Sequence, residues 1–573
     1  MSNQIHIIQN AITTTISEIF RGDFRRICEV KKAVLHLEAI YFCHGTCYLL
    51  KRENMPIKDQ LALYQRIELI PQSTTEFFEN NRECIINNWP EESALAAKPE
   101  ILYDALLASE FCVQPERVGY KIDKVSRDIA GAYYTSSDFS AQITYRALES
   151  YMDRKRRRAI DSDSFACCNE YENITFLDYS CGCGEFLLAV IQYFDNHVLG
   201  YSRKKLATQL RGVDVNPIAL MITIARIVSA VEAEDDENLL REVAKNFIVG
   251  NPLLHSDKIA PLEVRFDNFA LNRLYAETEG INCLELEQQN LVVLGNPPWE
   301  KLRFEERAFF RPVCPAISAI SQKNKREKEI KKLAVNWLEL LEYYQLLQDD
   351  YASVKKEIPK HPLLKVSLVG ELNTYAMFAE LASRLTEKDG FAAIIAKSAL
   401  VTSTCYSSCF RHFVNQGSLS EVFLFDNREK LFQIDSREKF CVLFFGGEHA
   451  GGIKVHYGLT KQEQILSSVP INVTSEELEL INPETGLLPN VADSKEFSFL
   501  LRTHRSLSVF AKEFPKCHFG RLVHLTAHAE HISTKSEKTR VPIYEGKFIE
   551  QYDNRFSTFA GMSADERYQA KAS

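Results

Sequence analysis

The tetrapeptide Asn296-Pro297-Pro298-Trp299 follows the apolar run NLVVLG, and its residue types suit one class of chemistry. Two consecutive prolines fix φ and remove two N–H donors, so the turn is rigid and its carbonyls are left to accept. An exocyclic amino group carries two N–H donors, and the Asn296 side-chain oxygen and the Pro297 carbonyl can each take one. With both protons engaged, the amine lone pair is drawn out of conjugation with its ring. It can then attack a methyl sulfonium directly, with no covalent enzyme intermediate. Trp299 supplies a flat face for a base, stacking being worth about 1–3 kcal/mol. A base inside a duplex reaches such a pocket only by being flipped out. The plainer alternative is an Asn-Pro-Pro turn after a buried strand, with Trp299 in the core.

Upstream, ITFLDYSCGCGEFLLAV places an apolar strand that ends at Asp178, a loop with Gly182 and Gly184, and then an apolar-periodic helix. Glycines there let a ligand approach the backbone, and the helix start offers free N–H groups. Many nucleotide sites share a GxG after a strand, and so do plain tight turns. Asp214, at the end of LRGVDV, sharpens the reading. An acid at the end of the second strand of a doubly wound sheet can accept hydrogen bonds from ribose hydroxyls. Its other possible role is to cap the next helix, where Asn216 and Pro217 are also good starting residues. A third strand, NFIVG, ends at Asn251-Pro252 and a fourth at Asn296, so successive strand ends line one crevice.

The elements that must position these residues show in the hydrophobic pattern. Between about 130 and 450, short β-branched or aromatic runs (ITFLDYS, LRGVDV, NFIVG, NLVVLG, GFAAIIAK, FCVLFF) alternate with amphipathic segments such as GEFLLAVIQYF and NPIALMITIARIV. That alternation predicts an α/β, doubly wound, parallel sheet with helices on both faces. At 573 residues and roughly 150 per domain, about three units are expected. They are a helical N-terminal domain over 1–125, the core over 126–455 with a Lys/Glu-rich helical insertion at about 300–368, and an irregular C-terminal region over 456–573.

Composition narrows the class. Hydrophobic residues at 45% and charged residues at 25% are those of an ordinary globular protein. There is no apolar run of roughly 18 residues and no basic start followed by an apolar block, so a cytoplasmic protein without membrane contact is expected. The 15 cysteines read as reduced core residues, and the close pairs Cys43/Cys47 and Cys405/Cys409 lack a partner pair at zinc-site spacing. No metal is expected. His524, His528 and His531 can share one helix face but read first as surface or turn residues. The net charge of −9 argues against nucleic acid coating the whole surface. Two basic clusters, Arg154-Lys155-Arg156-Arg157-Arg158 and the segment Lys323 to Lys332, are where phosphate could be met, each being otherwise a solvated helix face.

These segments resemble a known family, the gamma-class N6-adenine methyltransferases of type IIG restriction-modification enzymes and related phage-defence methylases. In that family N-P-P-[YWF] follows a D-x-x-C-G-x-G loop, here Asp178-Tyr179-Ser180-Cys181-Gly182-Cys183-Gly184 with Glu185 and Phe186 after it. GAYYTSSDFSAQIT resembles the family's G-x-Y-Y-T-P segment at Gly131, Tyr133, Tyr134 and Thr135. ELNTYAMFAELASRL, GFAAIIAKSAL, DNREKLFQIDSREKFCVLFF and VPIYEGKFIEQYDNRF extend the likeness, which runs from about Tyr103 to Phe556. The order of the segments is the gamma arrangement.

The resemblance implies a class I, Rossmann-like methyltransferase core with S-adenosylmethionine as cofactor. It implies cofactor binding by Tyr134, Thr135, Asp178, Cys181, Gly182, Gly184, Phe186, Asp214 and Asn251, and catalysis by Asn296, Pro297, Pro298 and Trp299. The implied substrate is DNA, with the target base flipped out and adenine methylated at N6 in a restriction-modification or phage-defence system. Asn296 favours adenine, since the serine form of the tetrapeptide is more typical of cytosine N4 enzymes. Ser136 replaces the family's proline, and Tyr179-Ser180 replace its small or proline pair; neither removes a ligand type. In the family the VPIYEGK phrase precedes a large target-recognition domain, whereas here the chain ends at Ser573. Reading of DNA sequence is therefore expected from a separate specificity or defence subunit, or the chain is a shortened or split form. A metal-dependent nuclease of D…E-x-K type has one candidate set, Asp23, Glu29 and Lys31, in text too helical for such a fold. Two other classes stay open: a non-catalytic cofactor-binding assembly module of a defence complex, and an amino-methyltransferase acting on RNA or on a protein glutamine.

Overall fold

The computed structural model describes residues 2–96, 98–122, 135–161, 171, 173–257, 260–273, 280–282, 290–386, 389–446, 451–508, 513–516, 523–524 and 528–532. They belong to two compact units, Met1–Ser506 and Leu507–Ser573.

The first unit opens with helices, as the three-to-four spacing requires. Helix Ile27–Leu49 is buried along nearly its whole circumference. Helices Ser2–Ile19, Ile57–Arg66 and Gln72–Asn80 surround it, and it packs on helix Pro217–Ala230 of the sheet layer. The chain then leaves the helical pattern. β1 (Ser109–Gln114) and β2 (Arg117–Ile122) form an antiparallel hairpin in which Gln114 faces Arg117. The reading of residues 1–125 as helical missed it, because EILYDALLASEF keeps its helical period to Phe111 while the helix itself ends at Leu107. Alternating Phe111, Val113, Val118 and Tyr120 carry the strands, on either side of a turn at Pro115-Glu116.

The remaining strands are β3 (Thr175–Asp178), β4 (Leu210–Asp214), β5 (Phe247–Val249), β6 (Asn251–His255), β7 (Gly280–Ile281), β8 (Leu291–Gly295), β9 (Phe391–Lys397), β10 (Leu419–Asp426), β11 (Lys439–Phe445), β12 (Ile453–Leu459) and β13 (Ile471–Val473). β6 and β7 make a small parallel pair of their own. The others form one nine-stranded sheet in the order β13-β12-β10-β11-β9-β8-β3-β4-β5.

From β9 to β5 all neighbours are parallel. β11 is antiparallel to both β9 and β10, and β13 to β12. The wholly parallel sheet expected from the sequence is thus a mixed one. A strand buried on both faces, such as Phe440–Phe445, reads the same in either direction, so periodicity is silent on polarity. The sheet also runs past the expected core limit at 455, through β12 and β13. The chain leaves β3 to build β4 and β5 on one side, then crosses back to lay β8 on the other side of β3. The carboxyl ends of β3, β4 and β8 therefore meet at a topological switch point, where a crevice opens in such sheets.

The insertion between Trp299 and Thr374 is helical, with Lys323–Asn336 and Leu338–Glu357 its main elements. Its two ends are latched together. Leu302 N donates to Leu372 O (2.9 Å), Thr374 N to Glu300 O (2.9 Å), and Lys301 bridges to Asn373. The fully buried Glu380 holds the returning strand of chain, accepting from the amides of Lys365, Val366 and Ser367 and from the Ser367 hydroxyl. Among the described residues no helix is long and apolar enough to cross a membrane, and no group of three or more His, Cys, Asp or Glu is arranged to hold a metal ion.

Candidate active site

The loop after β3 is built on two glycines in the left-handed region, Gly182 (φ +49°) and Gly184 (φ +87°). They have different reasons for being glycine. A Cβ on Gly184 would stand 2.8 Å from Thr223 Cγ2, so its lack of a side chain lets helix Pro217–Ala230 press against the loop. A Cβ on Gly182 would meet nothing within 4 Å, so that side of the loop is open to a ligand. Thr223 donates to the Gly182 carbonyl (2.7 Å), and Arg226 reaches both the Cys183 carbonyl (2.5 Å) and Glu185 (2.7 Å). Gly184 is the N-cap of helix Glu185–His197 and brings no side chain to cover the first-turn amides.

Asp214, at the end of β4, pins this loop. Its Oδ2 accepts from the Gly182 amide (2.9 Å) and its Oδ1 from the Asn216 amide (2.9 Å). The capping role left open by the sequence goes to Asn216. Its Oδ1 accepts from Ile218 N (2.9 Å) while its Nδ2 donates to the Tyr103 hydroxyl. With the amides of Gly182, Asn216 and Val215 on it, the Asp214 carboxylate still has acceptor capacity left for a ligand hydroxyl. Burial pushes the Asp214 carboxyl up, against the amides of Asn216, Gly182 and Val215. Asp178 is buried, with Oδ1 accepting from Ser180 N (3.0 Å). Burial pushes it up to about 8, opposed by the Ser180 amide and reinforced by the charge of Asp214.

β8 closes on the same acid, since a Cβ on Gly295 would lie 2.8 Å from Asp178 Oδ1. The next residue is Asn296, whose Nδ2 donates to the buried Thr135 hydroxyl (3.1 Å). That bond decides which end of the amide is the acceptor, and it ties the segment ahead of helix Ser137–Asp161 to the tetrapeptide. Beyond it, Thr374 clamps the turn. Its hydroxyl donates to the Pro298 carbonyl and accepts from the Glu300 amide (2.8 Å). No described residue donates to the Pro297 carbonyl. Burial lifts the Glu300 carboxyl to about 8.

Two expectations change here. Trp299 is only 6% exposed. Its ring meets Phe432 edge-on at 5.3 Å and lies tilted over Phe440 at 6.2 Å, in a cluster that also takes in Phe139 and Phe425. It anchors the turn in the core rather than offering an open face, which is the alternative the sequence left standing. Asn251 begins β6 instead of ending β5, and its Oδ1 accepts from Leu253 N (3.0 Å). Its neighbour Gly250 still reaches the Asp214 carbonyl (2.9 Å). Cys181 and Phe186 are buried, with the Cys181 sulfur 2.9 Å from where a Gly212 Cβ would sit, so they shape the loop from beneath. Burial pushes the Cys181 thiol well up. Tyr134 lies outside the described residues. Sequence reasoning found no role for Thr374, Thr223 or Arg226. The nuclease candidates are engaged within the fold: Glu29 pairs with Arg26 (2.9 Å), and Lys31 lies over the Tyr343 ring.

No protein-family model matches the chain, and no curated protein sequence matches it. Solved structures do. The structure of DrdV bound to DNA aligns at 12% identity over 82% of this chain and 46% of that one, with a TM-score of 0.42. A nuclease-deletion mutant of the Type ISP restriction-modification enzyme LlaGI, bound to a DNA substrate mimic, aligns at 11% identity over 86% of this chain and 37% of that one, with a TM-score of 0.43. The chain thus spans less than half the length of both. The methyltransferase subunit of a type I restriction-modification system from Streptococcus thermophilus aligns at 10% identity over 88% of this chain and 93% of that one, with a TM-score of 0.30.

Proposed function

We propose that the chain is a methyltransferase that moves a methyl group from S-adenosylmethionine to an exocyclic amine of a flipped-out base in DNA, adenine N6 being the target the motif order favours. The observation that carries this reading is the meeting, at one switch point, of the loop pinned by Asp214 and the Asn296-Pro297 turn, joined where Gly295 closes on Asp178. The residues present fit the cofactor: open space over Gly182, uncovered first-turn amides after Gly184, and a carboxylate with lone pairs to spare. When bound, S-adenosylmethionine supplies an electrophilic methyl group.

The chain's own groups do the rest. Asp214 accepts from the ribose hydroxyls, and the Gly182–Gly184 backbone lies against the ligand. Thr135 turns Asn296 so that its Oδ1 accepts one amine proton, and the Pro297 carbonyl accepts the other. Neither is a base, so the proton that the methylated amine must lose would leave to water rather than to Asn296 or Pro297. In this reading the protein is a cytoplasmic modification component of a restriction-modification or phage-defence system.

Tritiated methyl transfer to DNA tests the reading, with the chain alone and with neighbouring gene products. Asn296→Ala is expected to abolish transfer while cofactor affinity holds, and Asp214→Ala to weaken cofactor binding first. Normal methylation by the Asn296 variant would remove the catalytic assignment. Transfer to RNA or to a protein glutamine, and not to DNA, would replace the substrate.

A further inference from the structure

The two basic clusters of the sequence have opposite fates in the fold. In the first, Arg154 is buried and donates to the backbone carbonyls of Asp389 (2.7 Å) and Gly390 (2.8 Å). Lys155 reaches Asn290, and Arg156 pairs with Asp153 (3.4 Å). Most of that cluster is spent within the protein.

The second cluster is displayed. Helix Lys323–Asn336 carries six basic and two acidic side chains on a protein of net charge −9. It buries Arg326, Ile330 and Leu333, which sets its rotation. Arg326 pairs with Glu306 and donates to the Ile320 carbonyl (2.8 Å). Just past its end, Trp337 Nε1 donates to the Arg25 carbonyl (2.7 Å). The opposite face holds Lys325, Lys328, Lys331 and Lys332, all exposed. Lys332 is paired with Glu329 (2.7 Å). Lys325, Lys328 and Lys331 have no ion pair among the described residues.

A solvated helix face is ordinarily laced with opposite charges three or four residues apart. Here Glu327 and Glu329 stand four residues from Lys331 and Lys325 but pair with Lys323 and Lys332 instead, and Lys325, Lys328 and Lys331 follow at three-residue steps over about 9 Å at about 1.5 Å rise per residue. The helix belongs to the insertion that leaves the chain at Glu300 and returns at Thr374, its two ends latched to each other and Thr374 donating to the Pro298 carbonyl of the turn that bears Asn296. We propose that this lysine face is a contact surface for the phosphate backbone of duplex DNA. It rests on the reading of DNA as substrate, and adds where on the chain the duplex is gripped without regard to sequence. Such contacts fix position and orientation rather than read bases, which suits a surface of lysines, each a flexible point charge.

The test is anisotropy of a fluorescein-labelled duplex titrated with the full chain between about 50 and about 200 mM salt. Each phosphate contact contributes about 0.9 to the slope of log affinity against log salt. The variant Lys325→Gln/Lys328→Gln/Lys331→Gln is expected to flatten that slope by about 2 to 3 and to weaken binding most at low salt. Lys204→Gln/Lys205→Gln/Lys245→Gln, which removes the same charge from another exposed region, is expected to leave the slope as it is. A triple variant with the wild-type slope overturns the proposal, as does absence of duplex binding by the wild-type chain at about 50 mM salt, where phosphate contacts are strongest. Methylation of DNA by a chain whose slope the lysines do not change would remove the surface alone. The expected slope change in a chain that methylates nothing would leave the surface and remove the catalytic reading.

Discussion

Thr374→Val is the sharpest probe of the turn. The substitution keeps shape and removes one hydroxyl at a position 5% exposed to solvent. That hydroxyl donates to the Pro298 carbonyl and accepts from the Glu300 amide, so valine leaves one acceptor and one donor without a partner. Each unmet buried group costs about 1–3 kcal/mol, so with two of them the turn gains about 2–6 kcal/mol by moving until water or another group serves them. A displacement of about 1 Å at a reacting group costs about 100-fold in rate. Single-turnover methyl transfer is therefore expected to fall by about two orders of magnitude with cofactor affinity nearly unchanged, because the loop at Gly182 is held by Asp214 and Thr223 instead. Thr374→Ser, which keeps the hydroxyl, is expected to recover most of the rate. A valine variant within about twofold of the wild-type rate would refute the clamp, and an equal loss in cofactor affinity would shift the effect to the cofactor loop.

Two further outcomes follow from the same geometry. Gly184→Ala should lower cofactor affinity and thermal stability, since alanine pays about 1–2 kcal/mol in the left-handed region and its Cβ would stand 2.8 Å from Thr223 Cγ2. Adding Thr223→Ser, which removes that methyl and keeps the hydroxyl on Gly182, should return part of both; no recovery in isothermal titration and thermal melts would count against the steric account. Asp178, pushed up to about 8 mainly by burial, retains a proton in the folded chain that the unfolded chain releases near its ordinary value of about 4. Folding should therefore lose stability as pH rises from about 4 through about 8, and Asp178→Asn should flatten that part of the thermal-midpoint profile; identical profiles would reject a protonated Asp178.

What was legible in the sequence is what local physics writes there. The strand before Asp178, the two glycines after it and the helix from Glu185 fall within one window of about twenty residues, where period and turn chemistry decide the structure. The same holds for β8 and its Asn-Pro-Pro end. Strand polarity and order are not local. β11 reads as one more buried apolar run, and only its pairing with β9 and β10 shows that the parallel pattern stops there. The β1–β2 hairpin was hidden by a helical period that outlasts its helix by a few residues.

In the site, the illegible part is the support. Asp178, Gly182, Asp214 and Asn296 announce themselves by type and spacing, because chemistry restricts which side chains can serve. Thr374 does not: any small hydroxyl residue at a helix start looks alike, and its partners lie 74 and 76 positions upstream, across the whole insertion. Thr135 meets Asn296 over 161 positions: its segment marked it for the cofactor, and only the fold shows that it also orients the Asn296 amide. Trp299 shows the reverse. Its type suggested a stacking face, but its surroundings of Phe432 and Phe440 make it the turn's anchor, a role the sequence could pose only as an alternative. Side-chain type thus points to the reaction, while the geometry that would make the reaction fast is set by residues whose type says almost nothing. The Thr374 clamp is accordingly a stronger test of the site than the loss of Asn296, which any account of the tetrapeptide would predict.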